Sequence, residues 1–351
     1  MKRTDILIIL AAAALGIGCK QGEDQTITLS SDNECVVVGN IKGLKNCKVV
    51  LQDEYNDYKV IAEGTAKKGK FIIRTEVSQP TYVFMYSDRD EQLRDFFLEP
   101  GVITVTGDDV DEDYGNGAVG TPSNDYIQAF RKEMELVADS ELAPLVQRYY
   151  DNAPKDIVKL YLIDNFKIWP SKQKIELINS LDPGVLSLPG ITSILELYTK
   201  RANTEPDGEN VYIDIEQPDP DGKVISLKEI VEKPGNKYVL LDFWATWCGP
   251  CREEMPIVKD AYARYHDKGF DIYAVSLDNN SRLKIWREYI VENELPWTNV
   301  DSGENTDSKA YKDYAFRGIP DNVLIDCSDG KIIGRTLRGE ELLTTLAGLF
   351  D

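Results

Sequence analysis

The sequence predicts three successive parts: an antiparallel β-sandwich-like domain over residues 35–110, a helical connecting region over 121–205, and an α/β domain over 210–351. Three observations carry this division. Apolar residues alternate at period two in the first part and recur at helical spacing in the second. In the third, short apolar strand runs are separated by helical stretches. The length of 351 residues by itself favours about two to three domains. An apolar fraction of 42% and a charged fraction of 28% are those of a folded, soluble chain.

In the first part, Cys47, Val49 and Leu51 alternate with Lys48, Val50 and Gln52, and Tyr82, Phe84 and Tyr86 alternate with Val83 and Met85. Gly43, the Lys68-Gly69-Lys70 turn, Pro80 and Pro100-Gly101 punctuate these runs as small sandwiches require. Residues 110–120 read as a linker, and Ser123 is placed to cap the first helix. Tyr126, Phe130 and Met134, then Val158, Tyr161 and Leu162, give the helical spacing. Pro170-Ser171 and Asp182-Pro183-Gly184 divide that region into several short helices. From residue 210 onward, 239–244 is a buried-strand run leading into a helix from 251 to about 268. A strand at 270–277, a helix at 282–294 capped by Ser281, a strand at 323–326, a turn into 331–335 and a last helix at 340–350 follow.

Composition excludes several function classes. Lys plus Arg total 40 against 60 for Asp plus Glu, a net charge of −20, which phosphate backbones repel, so no nucleic-acid partner is expected. Histidine occurs once, at His266; imidazole metal sites and Ser-His-Asp or Cys-His pairs would all have to run through that one residue. His266 itself is expected to be a solvated helix-end histidine. Neither a metal nor a cofactor is expected.

Residues 1–18 have the form of a secretory signal: Lys2 and Arg3, an apolar run over 6–17, then Gly18. The polar stretch 19–34 reads as a tether. Leu15-Gly16-Ile17-Gly18-Cys19 resembles a bacterial lipobox, which implies lipidation of Cys19 and a protein held by a lipid anchor to a membrane of the cell envelope, on its periplasmic side. Setting Cys19 aside leaves Cys35, Cys47, Cys248, Cys251 and Cys327, an odd number, so at least one thiol lacks an intramolecular partner.

The chemistry concentrates at Cys248 and Cys251. Two thiols three residues apart, at the mouth of a helix that follows a buried strand, can close a disulfide across one turn. Unsatisfied N–H groups at the helix N-terminus favour the thiolate of Cys248, making it the nucleophile toward a substrate disulfide, and Cys251 resolves the mixed disulfide. Pro250 fixes the loop where its missing N–H costs nothing, and Gly249 precedes it. Zinc would need two further ligands at matching spacing.

The string Phe243-Trp244-Ala245-Thr246-Trp247-Cys248-Gly249-Pro250-Cys251-Arg252-Glu253-Glu254-Met255-Pro256, with Asp242 before it, resembles the TlpA-like branch of the thioredoxin superfamily. The resemblance covers about residues 210–351. It implies a thioredoxin-like sheet with an inserted helix and strand, fitted by 282–300. It also implies a cis proline at Pro320, in Gly318-Ile319-Pro320, facing the thiols and leaving a backbone edge free for an extended substrate peptide. Asp321-Asn322 follow that proline where relatives usually carry small hydroxyl residues. Residues 35–110 resemble, through Phe96-Phe97-Leu98-Glu99-Pro100-Gly101 and the turn at Lys68-Gly69-Lys70, an uncharacterised β domain of envelope lipoproteins.

Asp242 lies six residues before Cys248 on the feeding strand, at the position of a buried acid in that family. A carboxyl in an apolar strand without a charge partner has a raised pKa and suits the shuttling of the resolving thiol's proton. Glu253 and Glu254 are expected to be helix-dipole partners. Cys327 stands seven residues beyond Pro320, about 23 Å along an extended strand, and reads as a free surface-turn thiol. A hairpin turning near Leu44 would set Cys35 opposite Glu54, so Cys35 and Cys47 read as unbridged and Cys47 as a packed thiol.

The expected function is therefore an envelope thiol-disulfide oxidoreductase that reduces protein disulfides through the Cys-Gly-Pro-Cys dithiol, supplied by a membrane electron donor. The competing class is an envelope partner- or glycan-binding lipoprotein with a redox-sensing module, since more than half the chain lies outside the redox part. A peroxidase fits less well, because its reactive cysteine normally stands without a CxxC partner.

Overall fold

A computed structural model of the chain describes residues 27–89, 91–108, 117–207, 209–303 and 307–350. The expected signal, the lipidation position Cys19 and most of the 110–120 linker lie outside the described residues. Two compact units form. One holds the described residues up to Trp169 with Glu176–Ser193; the other holds Pro170–Ile175 with those from Ile194 onward.

In the first unit the strands are β1 (Glu34–Lys42), β2 (Cys47–Asp53), β3 (Lys59–Ala66), β4 (Lys70–Glu76), β5 (Thr81–Ser87), β6 (Gln92–Leu98), β7 (Gly101–Asp108) and β8 (Ala118–Val119). They make two four-stranded sheets, ordered β4-β1-β7-β8 and β3-β2-β5-β6. Val37 and Ile103 of one sheet and Leu51, Met85 and Phe96 of the other fill a common core, as period-two alternation demands. β1 and β2 are not paired as a hairpin but lie in different sheets, and Cys35 and Cys47 are both free, as expected. β1 pairs antiparallel with β4 and parallel with β7, placing Cys35 beside Thr75 and Gly101. Apolar residues at Val36, Val37 and Ile41, all buried, suit β1 to a central position, which a terminal hairpin arm would not give it.

The helices α1 (Pro122–Met134), α2 (Asp139–Asp151), α3 (Asp156–Asn165), α4 (Ser171–Asn179), α5 (Pro183–Leu186) and α6 (Ile191–Ala202) follow. Ser123 is not the cap of α1. Pro122 opens the helix one residue earlier, and the buried Glu99 carboxylate accepts both the Ser123 N–H (2.8 Å) and its hydroxyl (2.9 Å). An acid from β-sheet territory thus satisfies the helix N-terminus in place of a local cap. The two units divide inside the helical stretch because the end of α6 is tied to the second one. There Arg335 donates to the Thr204 carbonyl at 3.2 Å, and the Thr204 hydroxyl donates to that of Tyr314 at 3.4 Å.

The second unit continues with β9 (Glu216–Pro218), β10 (Val224–Ser226), α7 (Leu227–Val231), β11 (Tyr238–Trp244), α8 (Gly249–Tyr265), β12 (Phe270–Asn279), α9 (Leu283–Glu292), β13 (Thr298–Gly303), α10 (Lys309–Asp313), β14 (Asp321–Asp326), β15 (Ile332–Arg335) and α11 (Glu340–Phe350). Its thioredoxin-like sheet runs β13-β12-β11-β14-β15. β11 is central, parallel to β12 and antiparallel to β14. Both faces of β11 and β12 are covered, so these strands read as continuous apolar runs rather than alternations. The inserted segment supplies α9 and the edge strand β13. Ser281 does not cap α9: the Asn279 side chain accepts the Ser281 N–H at 3.1 Å, which makes 280–282 a 3-10 turn, and α9 starts afterwards without a side-chain cap.

Candidate active site

β11 delivers its C-terminal end to the loop Ala245-Thr246-Trp247, and Cys248 is the N-cap of α8. Pro250 sits in the first helical turn, where no intrahelical partner for its nitrogen is required. Cys248 and Cys251 are joined as a disulfide with Cα atoms 5.3 Å apart. The Cys251 N–H donates to the Cys248 sulfur at 3.1 Å. That donor and the end of a helix of 17 residues stabilise negative charge on this sulfur once the bond is opened. Cys248 and Cys251 are 5% and 2% exposed, while Trp247 beside them is exposed.

The Ile319–Pro320 peptide is cis, and the Ile319 carbonyl oxygen lies 3.6 Å from the Cys248 sulfur. Pro320 leads directly into β14. Asn322 fastens that strand to the chain before α11. Its side chain accepts the Leu337 N–H at 2.9 Å and donates to the Leu337 carbonyl at 2.8 Å. Asp321 and Asn322 are both buried, and these bonds engage the amide of Asn322.

Asp242 is buried on β11, opposite Ala274 of β12 and Asn322 of β14. Burial pushes its carboxyl up to about 7, helped by the carboxylates of Glu254 and Asp321 and opposed by the Arg338 guanidinium. The expectation of an acid without a charge partner is thus corrected: it faces two anions and one cation. Glu254, expected to be a dipole partner only, accepts the Gly339 N–H at 2.7 Å and belongs to the surroundings of Asp242.

A second group of residues, not anticipated from the sequence, braces the loop before the cysteines. Asp278, fully buried at the end of β12, accepts the Thr246 N–H (2.9 Å), the Thr246 hydroxyl (2.6 Å), the Ser276 hydroxyl (2.9 Å) and Arg282 Nε (3.0 Å). Arg282 also donates to the Thr246 hydroxyl at 3.2 Å. Four donors on one buried carboxylate leave it no unmet need, whereas its removal leaves the buried Thr246 and Ser276 donors without this acceptor. Asp278→Ala is expected to destabilise the second unit by about 3 kcal/mol, measured by denaturant titration. An Asp278→Ala protein with the wild-type midpoint would show that the brace contributes nothing.

The other predicted positions fall away from this site. Burial pushes the thiols of Cys35 and Cys327 up to about 12 and that of Cys47 upward. All three are free and held protonated. Cys327 is free and lies in the turn after β14, as expected, but is half-buried there. His266 is half-buried too: its ring stacks on Tyr262 at 4.3 Å, and Nδ1 lies 3.1 Å from the Phe270 carbonyl oxygen. An open cleft of about 360 Å³ runs along α8, lined by Arg252, Met255, Pro256, Lys259, Tyr289 and Asn293. Among the described residues no group of His, Cys, Asp and Glu is placed to hold a metal ion, and no helix is long and apolar enough to cross a membrane.

Residues 235–332 match a family described as thioredoxin-like, and residues 35–126 match a domain of unknown function. The thiol-disulfide oxidoreductase ResA of Bacillus cereus is 32% identical over 131 residues, 37% of this chain and 69% of that protein. Tryparedoxin of Trypanosoma brucei brucei is 31% identical over 116 residues, 32% of this chain and 75% of that protein. The crystal structure of the thioredoxin domain of a thiol-disulfide oxidoreductase from Bacteroides vulgatus shares 33% identity, covering 40% of this chain and 96% of that one, with a TM-score of 0.36.

Proposed function

Because the chain belongs to the thioredoxin-like thiol-disulfide oxidoreductases, on their ResA/TlpA-like branch, we propose that it reduces disulfides in proteins of the cell envelope through Cys248 and Cys251. The observation that carries this reading is Cys248 at the head of α8, its sulfur receiving the Cys251 N–H and lying against the Ile319 carbonyl.

In the reduced enzyme the Cys248 thiolate attacks one sulfur of the substrate disulfide. A Cys248–substrate bond forms and the other substrate sulfur leaves with the electron pair. Cys251 then gives its proton to Asp242 and attacks the Cys248 sulfur. The second substrate sulfur leaves with the electron pair of the broken Cys248–substrate bond, the Cys248–Cys251 disulfide forms, and the reduced substrate takes one proton back from Asp242 and one from water. Asp242 suits this task because a carboxyl titrating near 7 takes and returns a proton at neutral pH. Pro320 presents the backbone beside the thiols to an extended substrate segment, a reading supported by its place next to Cys248. Trp247, Gly249 and Pro250 shape the loop.

Each turnover leaves the enzyme oxidised, so a dithiol donor drawing electrons across a membrane has to restore it. The lipobox-like residues 15–19 support tethering through Cys19 on the periplasmic side, near such a donor. The domain boundaries at 35–110, 121–205 and 210–351 belong to the same reading, with chemistry assigned to the last of them. A titration of the dithiol in a thiol redox buffer, followed by the fluorescence of Trp244 and Trp247, tests the direction. A midpoint near about −270 mV is expected. One near about −120 mV would make the protein a disulfide donor instead.

A further inference from the structure

The segment Thr336-Leu337-Arg338-Gly339, between β15 and α11, touches both walls of the dithiol site. On the β14 side, the Thr336 N–H donates to the Asn322 carbonyl at 2.8 Å, and Leu337 is held in both directions by the Asn322 amide. Arg338 then turns back and its guanidinium donates to the carbonyl oxygen of Pro320. On the α8 side, the Gly339 N–H donates to Glu254 Oε1 at 2.7 Å. Gly339 has φ 54°, a left-handed conformation that side-chain-bearing residues adopt at a cost. The chain can therefore reverse sharply between its two anchor points.

Charge gives the segment a second role. Asp242 lies opposite Asn322 in the β11–β14 register, one position from Asp321, and the carboxylates of Asp321 and of Glu254 from α8 both push its carboxyl upward. β12 places uncharged Ala274 opposite Asp242. The cation acting on Asp242 comes from the segment before α11, and it is Arg338. Like charges gathered in a poorly solvated place oppose ionisation, and one guanidinium relieves part of that opposition.

We propose that Arg338 is a positioning residue of the disulfide-exchange reaction, holding the Pro320 carbonyl and with it the loop against Cys248, while supplying the cation that the buried Asp242 carboxyl faces. This rests on the assignment of Cys248, Cys251 and Asp242 made above. The two roles separate chemically. Anchoring the carbonyl needs the reach and fork of a guanidinium, whereas the field at Asp242 needs only a positive charge. Loss of the anchor loosens the edge that receives substrate and acts on KM; loss of the charge holds the Asp242 proton more firmly and moves the pH dependence of kcat upward.

The test is steady-state reduction of insulin by the full chain between pH 5 and 9, with a thermal midpoint for each variant. Arg338→Met is expected to raise KM by about fivefold and to shift the pH inflection of kcat upward by about half a unit, because the guanidinium is partly solvated. Arg338→Lys is expected to restore the inflection and leave KM raised. Wild-type KM and inflection in Arg338→Met overturn the assignment, as does a drop in thermal midpoint with both kinetic readouts unchanged. A wild-type chain that does not reduce insulin, or a Cys248→Ser chain that does, overturns instead the oxidoreductase reading beneath it.

Discussion

Replacing Cys248 by Ser is expected to cut the reduction of a protein disulfide by at least about a thousandfold, while Cys327→Ser leaves it unchanged. The Cys248 sulfur is the one that accepts the Cys251 N–H at the helix terminus, so its thiolate is the better stabilised nucleophile. A serine hydroxyl at that position stays protonated near neutral pH and forms no bond exchangeable by a thiol. Cys327 sits at the far end of β14 with its thiol pushed up to about 12 by burial, and thiolate chemistry there is suppressed at pH 7. The companion variant Cys251→Ser keeps the attacking sulfur and removes the resolving one. It is therefore expected to turn over no better than Cys248→Ser yet to accumulate a mixed disulfide with its substrate. The covalent adduct, seen as a band that dithiothreitol dissolves, separates the two variants. Several trapped partners support an enzyme that reduces protein disulfides. Wild-type turnover by Cys248→Ser, or an adduct retained by it, removes Cys248 from its assigned role.

The difference between what was legible in the sequence and what was not follows the range of the interactions. The dithiol is a local object: strand run, Cys-Gly-Pro-Cys and helix are contiguous, and the helix end that stabilises the sulfur is visible in the order of residues. The α/β reading of the second unit is legible for the same reason, since doubly covered strands such as β11 and β12 read as apolar runs. Groups brought together by pairing of distant strands carry no such mark. Asp278 meets Thr246 from 32 positions away and Gly339 meets Glu254 from 85; nothing in the sequence around Asp278 or Arg338 distinguishes them from solvated charges. The failed local readings share one cause. Ser123 and Ser281 each have the residue type and position of a cap, and in each case another group, Glu99 or Asn279, takes the N–H first. A local propensity of about 1 kcal/mol is readily overridden by a buried carboxylate or a turn. The β1–β7 pairing was hidden similarly, because strand alternation reports which face is buried and not which strand lies alongside.

Asp242→Asn is expected to make the oxidised second unit more stable and the enzyme slower, both in a pH-dependent way. In the folded protein the carboxyl titrates at about 7, against an ordinary value of 3.8. Between those two pH values the folded state holds a proton that the unfolded chain has already released. Stability of the wild type therefore falls as pH rises from about 4 to about 7, and levels off above the folded value. The difference of about three pH units corresponds to about 4 kcal/mol, the cost of keeping a carboxylate among apolar neighbours and two other anions. Asparagine has the same shape and never ionises, so it avoids that cost. At pH 8 the variant is expected to be more stable by as much as about 4 kcal/mol, and at pH 4 to match the wild type. Urea unfolding followed by tryptophan fluorescence reads this directly, since Trp244, Trp247, Trp286 and Trp297 all lie in the second unit. Activity moves the other way. On the proposed role of Asp242, its ionised form accepts the Cys251 proton, so wild-type resolution is expected to rise through about pH 7 and then hold. The asparagine variant is expected to lose that inflection and to slow by about a hundredfold at pH 7.5. Equal stability at pH 4 and pH 8 relative to the wild type, or a pH–rate profile that keeps its inflection near 7, would exclude Asp242 as the group that titrates. Gain of stability together with loss of rate identifies a carboxyl retained at a cost to the fold because the reaction needs its proton.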